Sequence, residues 1–93
     1  MIEGKVIYFY SETCPHRANV EAFLKENNIE SKLQFAKKEV SKDRLNTQLF
    51  FLVAQRKCNL PVDQIGVPFL WSGSSCIIGE GQVIDFFKAN ISS

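Results

Sequence analysis

The chain has 93 residues, 45% of them apolar and 23% charged, which suits one compact domain over residues 1–93 and excludes tandem domains. Eleven Lys and Arg against ten Asp and Glu leave a formal net charge of +1, so neither a nucleic acid nor an anionic membrane surface is an expected partner. A domain this small buries roughly 60–65% of the surface its unfolded chain exposes, so each buried aromatic counts.

Residues 5–10 are a continuous β-branched and aromatic run, the pattern of a strand buried on both faces. The run is too short for an export signal and is followed by no small-residue cleavage site, and no segment approaches the ~20 apolar residues of a membrane span. A cytoplasmic protein is expected, with its three cysteines, at 14, 58 and 76, starting as thiols. A helix follows from Pro15, well suited to a first helical position, to about Asn27, with Ala18, Val20, Phe23 and Leu24 at helical spacings. Residues 32–36 alternate polar and apolar and read as a second strand, joined to the first by a parallel crossover. Lys37, Lys38 and the charges through Arg44 read as a solvated connection. Ser41 or Asp43 caps a longer helix to about Lys57, with Leu45, Leu49, Leu52 and Val53 as its apolar stripe. Residues 67–71 and 75–78 form a hairpin around Ser72 and Gly73, and a last helix over about 82–90 presents Val83, Ile84, Phe86 and Phe87. Ser92 and Ser93 read as a frayed end.

Chemistry concentrates at Cys14. With Pro15 as the first helical residue, the Cys14 sulfur takes the cap position and accepts from the unpaired backbone N–H groups of His16 and Arg17. The helix dipole favours a negative charge there by typically ~0.3–1 kcal/mol, and cysteines at such sites have pKa values well below the ~8.5 of a free thiol. Arg17, and His16 when protonated, place positive charge within three residues of the sulfur. Cys14 reads as a nucleophile, against the plainer reading of an inert cap or small apolar residue.

The strand at 5–10, the segment Tyr10-Ser11-Glu12-Thr13-Cys14-Pro15-His16-Arg17, the later Val67-Pro68-Phe69, and the Gly79-Glu80-Gly81 before the last helix together resemble a glutaredoxin of the thioredoxin superfamily. The resemblance implies an α/β, thioredoxin-like fold of order β-α-β-α-β-β-α, a four-stranded mixed sheet flanked by three helices. It also implies a cis-proline, Pro68, facing the reactive cysteine. The activity implied is thiol–disulfide exchange on glutathione mixed disulfides or protein disulfides. Cys14 is then catalytic, His16 and Arg17 support its thiolate, and Val67, Pro68, Gly81 and Gln82 bind glutathione. The Val67 backbone pairs with an extended peptide substrate as an added strand.

Arg17 stands where the dithiol pattern Cys-Pro-x-Cys has its second thiol, so the likeness is to the one-cysteine mode, with Cys-Pro-His-Arg as the active-site segment. Arg17 either stabilises the thiolate or crowds the sulfur. The glutathione pattern is incomplete: Ser11 replaces a common Lys, Gly66 a usual Thr, Ile78 the first of two glycines, and Gly81-Gln82 a Ser-Asp or Thr-Asp pair. The missing Lys, together with Glu80 at a helix start, acts against a tripeptide carrying two carboxylates.

Two other roles compete. One is a non-catalytic thioredoxin-fold module that binds a protein partner through the Val67–Pro68 edge and an exposed Trp71 hairpin. The other is an iron–sulfur cluster carrier, opposed by Pro15 in place of Gly and Arg17 in place of a small residue. No metal site is expected, because the cysteines and His16 lack paired ligand spacing. Cys76 reads as a small core or edge residue. Cys58, closing the second helix, is the candidate resolving thiol for Cys14 if the 59–66 loop brings their Cα atoms within about 7 Å. The expected state is a monomer acting on thiol or disulfide substrate proteins.

Overall fold

Ile7, Tyr8 and Phe9 are β-branched or aromatic in unbroken succession, so an extended chain here needs apolar cover on both faces. They form the inner strand β1 (Ile7–Tyr10) of a four-stranded sheet. A computed structural model describes residues 4–91, with the side chains of Arg17 and Ile91 outside the described set, as are Ser92 and Ser93. β1 runs parallel to β2 (Ala36–Glu39), with Ile7 opposite Ala36, and antiparallel to β3 (Phe69–Trp71), with Phe9 opposite Phe69. β4 (Cys76–Ile78) is antiparallel to β3, giving the order β2-β1-β3-β4.

Strand alternation divides the core into two. Ile7, Phe9, Phe69 and Trp71 face Phe50 of the helix over Arg44–Leu52, and Val53 and Ala54 of its π-helical continuation Val53–Lys57. Tyr8 and Leu70 face the other layer. There they meet Val20 and Leu24 of α1 (His16–Glu26), Ile29 of the one-turn α2 (Ile29–Lys32), and Val83 and Phe87 of α4 (Glu80–Ile91). The Arg44–Leu52 helix is α3, and Asp43 rather than Ser41 caps it, accepting from Asn46 N at 3.1 Å. A 3₁₀ turn, Val62–Gln64, interrupts the connection to β3.

The structure departs from these expectations at several points. The second strand lies at Ala36–Glu39, not 32–36. Asn28 adopts a left-handed φ of 54°, which Asn tolerates, and the chain restarts as α2 to bury Ile29, so the helices number four rather than three. Leu33 and Phe35 reach the core from the connection instead, Phe35 lying 5.0 Å from the Phe87 ring. Lys37 and Lys38 belong to β2, where an edge strand keeps charges at its rim; Lys37 pairs with Glu21 at 3.0 Å. On α3 the inner face is Leu49, Phe50, Val53 and Ala54, whereas Leu45 is 75% exposed. Trp71 is 3% exposed, which removes the exposed Trp71 hairpin on which the binding-module reading leaned.

Phe87→Ala should lower the unfolding free energy by about 3–5 kcal/mol in urea titrations, as expected for a buried aromatic truncated to Ala. Leu45→Ala should change it by less than about 0.5 kcal/mol. Similar losses at the two positions would contradict the layer assignment.

Candidate active site

The end of β1 delivers the chain into a turn built by Ser11. This serine is 7% exposed. Its hydroxyl pairs with Thr13 Oγ1 at 2.7 Å and accepts from Thr13 N at 3.2 Å, while its carbonyl accepts from Cys14 N at 3.1 Å. The polar side chain thus folds the turn on itself and sets the direction in which Cys14 leaves the sheet. The neighbouring residue, Glu12, donates its backbone N–H to Glu39 Oε2 at 2.9 Å, and its carboxylate accepts from Lys42 Nζ at 2.9 Å. Glu39, at the end of β2, also accepts from the backbone N–H groups of Ser41 (2.9 Å) and Lys42 (2.7 Å) and from the Ser41 hydroxyl. One carboxylate therefore ties the turn before Cys14 to the turn after β2.

Pro15 has helical dihedrals, φ −64° and ψ −26°, and its carbonyl accepts from Ala18 N at 3.2 Å, but it takes the N-cap position itself, so α1 opens at His16, one residue later than the sequence reading set it. The cap differs from expectation. Instead of accepting from the His16 and Arg17 amides, the half-buried Cys14 thiol donates to the Val67 carbonyl at 3.8 Å. The reason is tertiary: β3 is paired to β1, which carries the residues just before it to the mouth of the Cys14 turn. The Val67–Pro68 peptide bond is cis, and Pro68 is buried.

Two further bonds close a ring around the cysteine. The Pro68 carbonyl accepts from Gly79 N at 3.0 Å, which docks the start of α4 beside the proline. Glu80, the next residue, takes His16 Nδ1 at 3.0 Å on one carboxylate oxygen and Asn19 Nδ2 at 2.7 Å on the other. Cys14, Val67–Pro68, Gly79–Glu80 and His16 thus form one circuit. The His16 bond, and after it the Asn19 bond, hold the Glu80 carboxyl below the usual carboxylate range.

His16 serves α4 in this arrangement, and among the described residues no bond joins its ring to the Cys14 sulfur. The Arg17 side chain, the other expected thiolate support, lies outside the described residues. Gly81 and Gln82 are exposed in the first turn of α4, one and two residues past Glu80. Cys58 does not serve Cys14: it is joined to Cys76, with Cα atoms 6.1 Å apart, and Cys14 is the free cysteine. The expectation that all three cysteines are thiols therefore fails for two, because α3 packs on the β3 face and its end meets the edge strand β4. Among the described residues no group of three or more His, Cys, Asp or Glu is placed to hold a metal ion. No helix there is long and apolar enough to cross a membrane. Sequence reasoning missed Glu39 and Asn19 altogether, since a surface Glu or Asn carries no local mark of a partner far along the chain.

The Glu39 carboxyl is drawn from its ordinary 4.5 to about 2, chiefly by the Ser41 hydroxyl and, against a smaller desolvation effect, by the three amides. Its ionised form is bound more tightly in the fold than in the unfolded chain. That stabilisation is present above about pH 4.5 and is lost as pH falls through about 2. Over that interval the urea midpoint of Glu39→Gln should fall less than that of the unaltered protein. Equal slopes would mean that Glu39 does not hold the turn.

No family model matches the chain, and no curated protein matches it in sequence. Solved structures do resemble it. One is the crystal structure of the holo form of glutaredoxin C1 from Populus tremula x tremuloides, 18% identical with a TM-score of 0.58, covering 96% of this chain and 79% of that one. The solution structure of reduced glutaredoxin C1 from the same source is also 18% identical with a TM-score of 0.58, over 96% of this chain and 68% of that one. The solution structure of the dithiolic glutaredoxin 2-C-Grx1 from the pathogen Trypanosoma brucei brucei is 23% identical with a TM-score of 0.61, over 96% and 84%. At these identities the likeness is one of fold: the chain has a thioredoxin-like fold, with a four-stranded mixed sheet in the order β2-β1-β3-β4 and helices on both faces.

Proposed function

We propose that this protein is a thiol–disulfide oxidoreductase acting through one cysteine, Cys14, on glutathione mixed disulfides or protein disulfides. The observation that carries this reading is the half-buried Cys14 thiol at the start of α1, donating to the carbonyl of Val67 beside the cis Val67–Pro68 bond. The glutaredoxin form of the fold supports it.

In the first step Cys14 loses its proton to solvent and its sulfur attacks the disulfide of the substrate. A bond forms from Cys14 to one sulfur, and the other leaves as a thiolate that takes up a proton. The Val67 carbonyl, no longer accepting from the thiol, becomes an acceptor for the backbone of an extended substrate, with the Val67 N–H as the matching donor. In the second step a thiol from solution, with glutathione as its natural type, attacks the glutathione sulfur held on Cys14. The product is a small disulfide, and Cys14 is released as a thiolate. For a glutathione mixed disulfide one external thiol therefore suffices: the substrate sulfur leaves as a thiol, the external thiol is oxidised as it joins the glutathione sulfur in the small disulfide, and no second protein cysteine is needed. Under this reading Val67 and Pro68 align the peptide, Gly81 and Gln82 offer the exposed first turn of α4 to a carboxylate, and Arg17 supplies positive charge. Glu80 opposes that charge, so anionic glutathione is held less firmly than a neutral or cationic thiol partner would be.

Reduction of a glutathione mixed disulfide, followed by coupled thiol release, tests the proposal. Cys14→Ser should abolish turnover, and in the unreduced protein iodoacetamide should label Cys14, the free cysteine, and neither Cys58 nor Cys76. Undiminished turnover in Cys14→Ser would end the proposal. Glu80→Gln should raise kcat/KM for the glutathione substrate by about twofold to fivefold, the scale of one unit charge removed in a high dielectric. A fall would show that Glu80 instead holds the site together.

A further inference from the structure

Cys58 and Cys76 take no part in the steps above, yet their bond closes a ring that contains Val67 and Pro68. Cys58 ends the π-helical continuation of α3, and Cys76 lies on the edge strand β4, opposite Trp71. Both residues are half-buried. Between them the buried strand β3 is firmly paired, whereas the connection over residues 59–66 that precedes it holds itself weakly. Leu60 N reaches back to Ala54 O at 3.0 Å, and Gln64 N and Ile65 N bond to Pro61 O (2.9 Å) and Val62 O (3.2 Å) within the 3₁₀ turn. Pro61, Val62, Asp63, Gln64 and Gly66 are exposed, with Val62 at 63%, so few apolar contacts fix this stretch to the domain. Leu60, Ile65 and Val67 do touch the Phe50 side of the core, in the same patch as Cys58 and Cys76.

We propose that Cys58–Cys76 is a second thiol–disulfide site, distinct from Cys14, whose closure holds residues 59–67 in place and so keeps the Val67 carbonyl at the Cys14 sulfur. With β3 anchoring the far end of the 59–66 connection, a cross-link from Cys58 at its near end to β4 ties both ends to the sheet and removes open conformations in which Val67 leaves Cys14. The reagents are small dithiols and small disulfides. In opening, a dithiol attacks one sulfur, passes through a mixed disulfide and leaves as a cyclic disulfide, giving two electrons and two protons to Cys58 and Cys76. In closing, the two thiols give the same electrons and protons to a small disulfide, which leaves as two thiols. The state of this site then sets how well Val67 is presented, whether or not Cys14 turns over a substrate.

Two readouts test this in the full chain. Peptide mapping after exposure to oxidised glutathione should find Cys58 linked to Cys76, with Cys14 free or capped by glutathione. After dithiothreitol, all three cysteines should be thiols. Amide hydrogen exchange over residues 60–67 should quicken about tenfold or more in the reduced protein and in Cys58→Ser/Cys76→Ser, while the β1 amides keep their protection. If the double variant does not fold, the reduced unaltered protein gives the same reading. A linkage from Cys14 to either residue, no linkage at all, or equal exchange in the two states would overturn the proposal. Because neither readout uses turnover, loss of the Cys14 proposal would leave this one standing, and the reverse also holds.

Discussion

Tyr8 and Phe9 are adjacent in the chain, point to opposite faces of the sheet, and have no exposed surface. That requirement for cover on two sides shapes the rest of the molecule. It demands a layer on each face, which α3 with its continuation provides for Phe9 and which α1, α2 and α4 provide for Tyr8. It also demands a strand on each edge of β1, which β2 and β3 supply. Once both are met, the end of β1 becomes the one place where a turn, a helix start and the approach to β3 converge, and Cys14 lies there.

The convergence is held by polar bonds rather than apolar area. Ser11 shapes the turn from within, Glu39 ties it to the end of β2, and the Pro68–Gly79 and Glu80–His16 bonds carry the circuit across to α4. Side chains held this way keep a reactive sulfur reachable, because none of these bonds needs to bury it. They also give the site an electrostatic character of its own. Two ionised carboxylates, Glu39 and Glu80, stabilise its frame through donors that prefer the charged form. The carboxylate on α4 meets any substrate that approaches Cys14 from that side.

The disulfide adds a constraint of a different kind. The backbone bonds of the 59–66 connection are local, so its position relative to Cys14 rests on a few half-buried apolar contacts and on the Cys58–Cys76 link. The site therefore has one wall set by the sheet and the α1 start, and another whose placement depends on a covalent tie outside it.

Much of this was legible in the residues. The unbroken apolar run at 7–9 marked a central strand, and Pro15 marked a helix start. Each signal is local, arising from side-chain branching, a locked φ or a hydrogen-bond pattern a few residues long, so sequence alone carries it. The second strand was misplaced because Leu33 and Phe35 alternate as strand residues do, although they pack half-buried against the core from a connection, Phe35 on the ring of Phe87 far along the chain. Leu45 looked like a core residue because its spacing fits a helix face, but the sheet meets that helix on the neighbouring face of Phe50 and Val53. The Cys14 bond to Val67, the Glu80 bond to His16 and the pairing of Cys58 with Cys76 join residues 18 or more apart. The local pattern thus determined β1, the β3–β4 hairpin, the helices α1, α3 and α4, and the identity of the sulfur. The partners of that sulfur were decided by which layers pack together, since long-range distances follow from packing and leave no periodic trace in the chain.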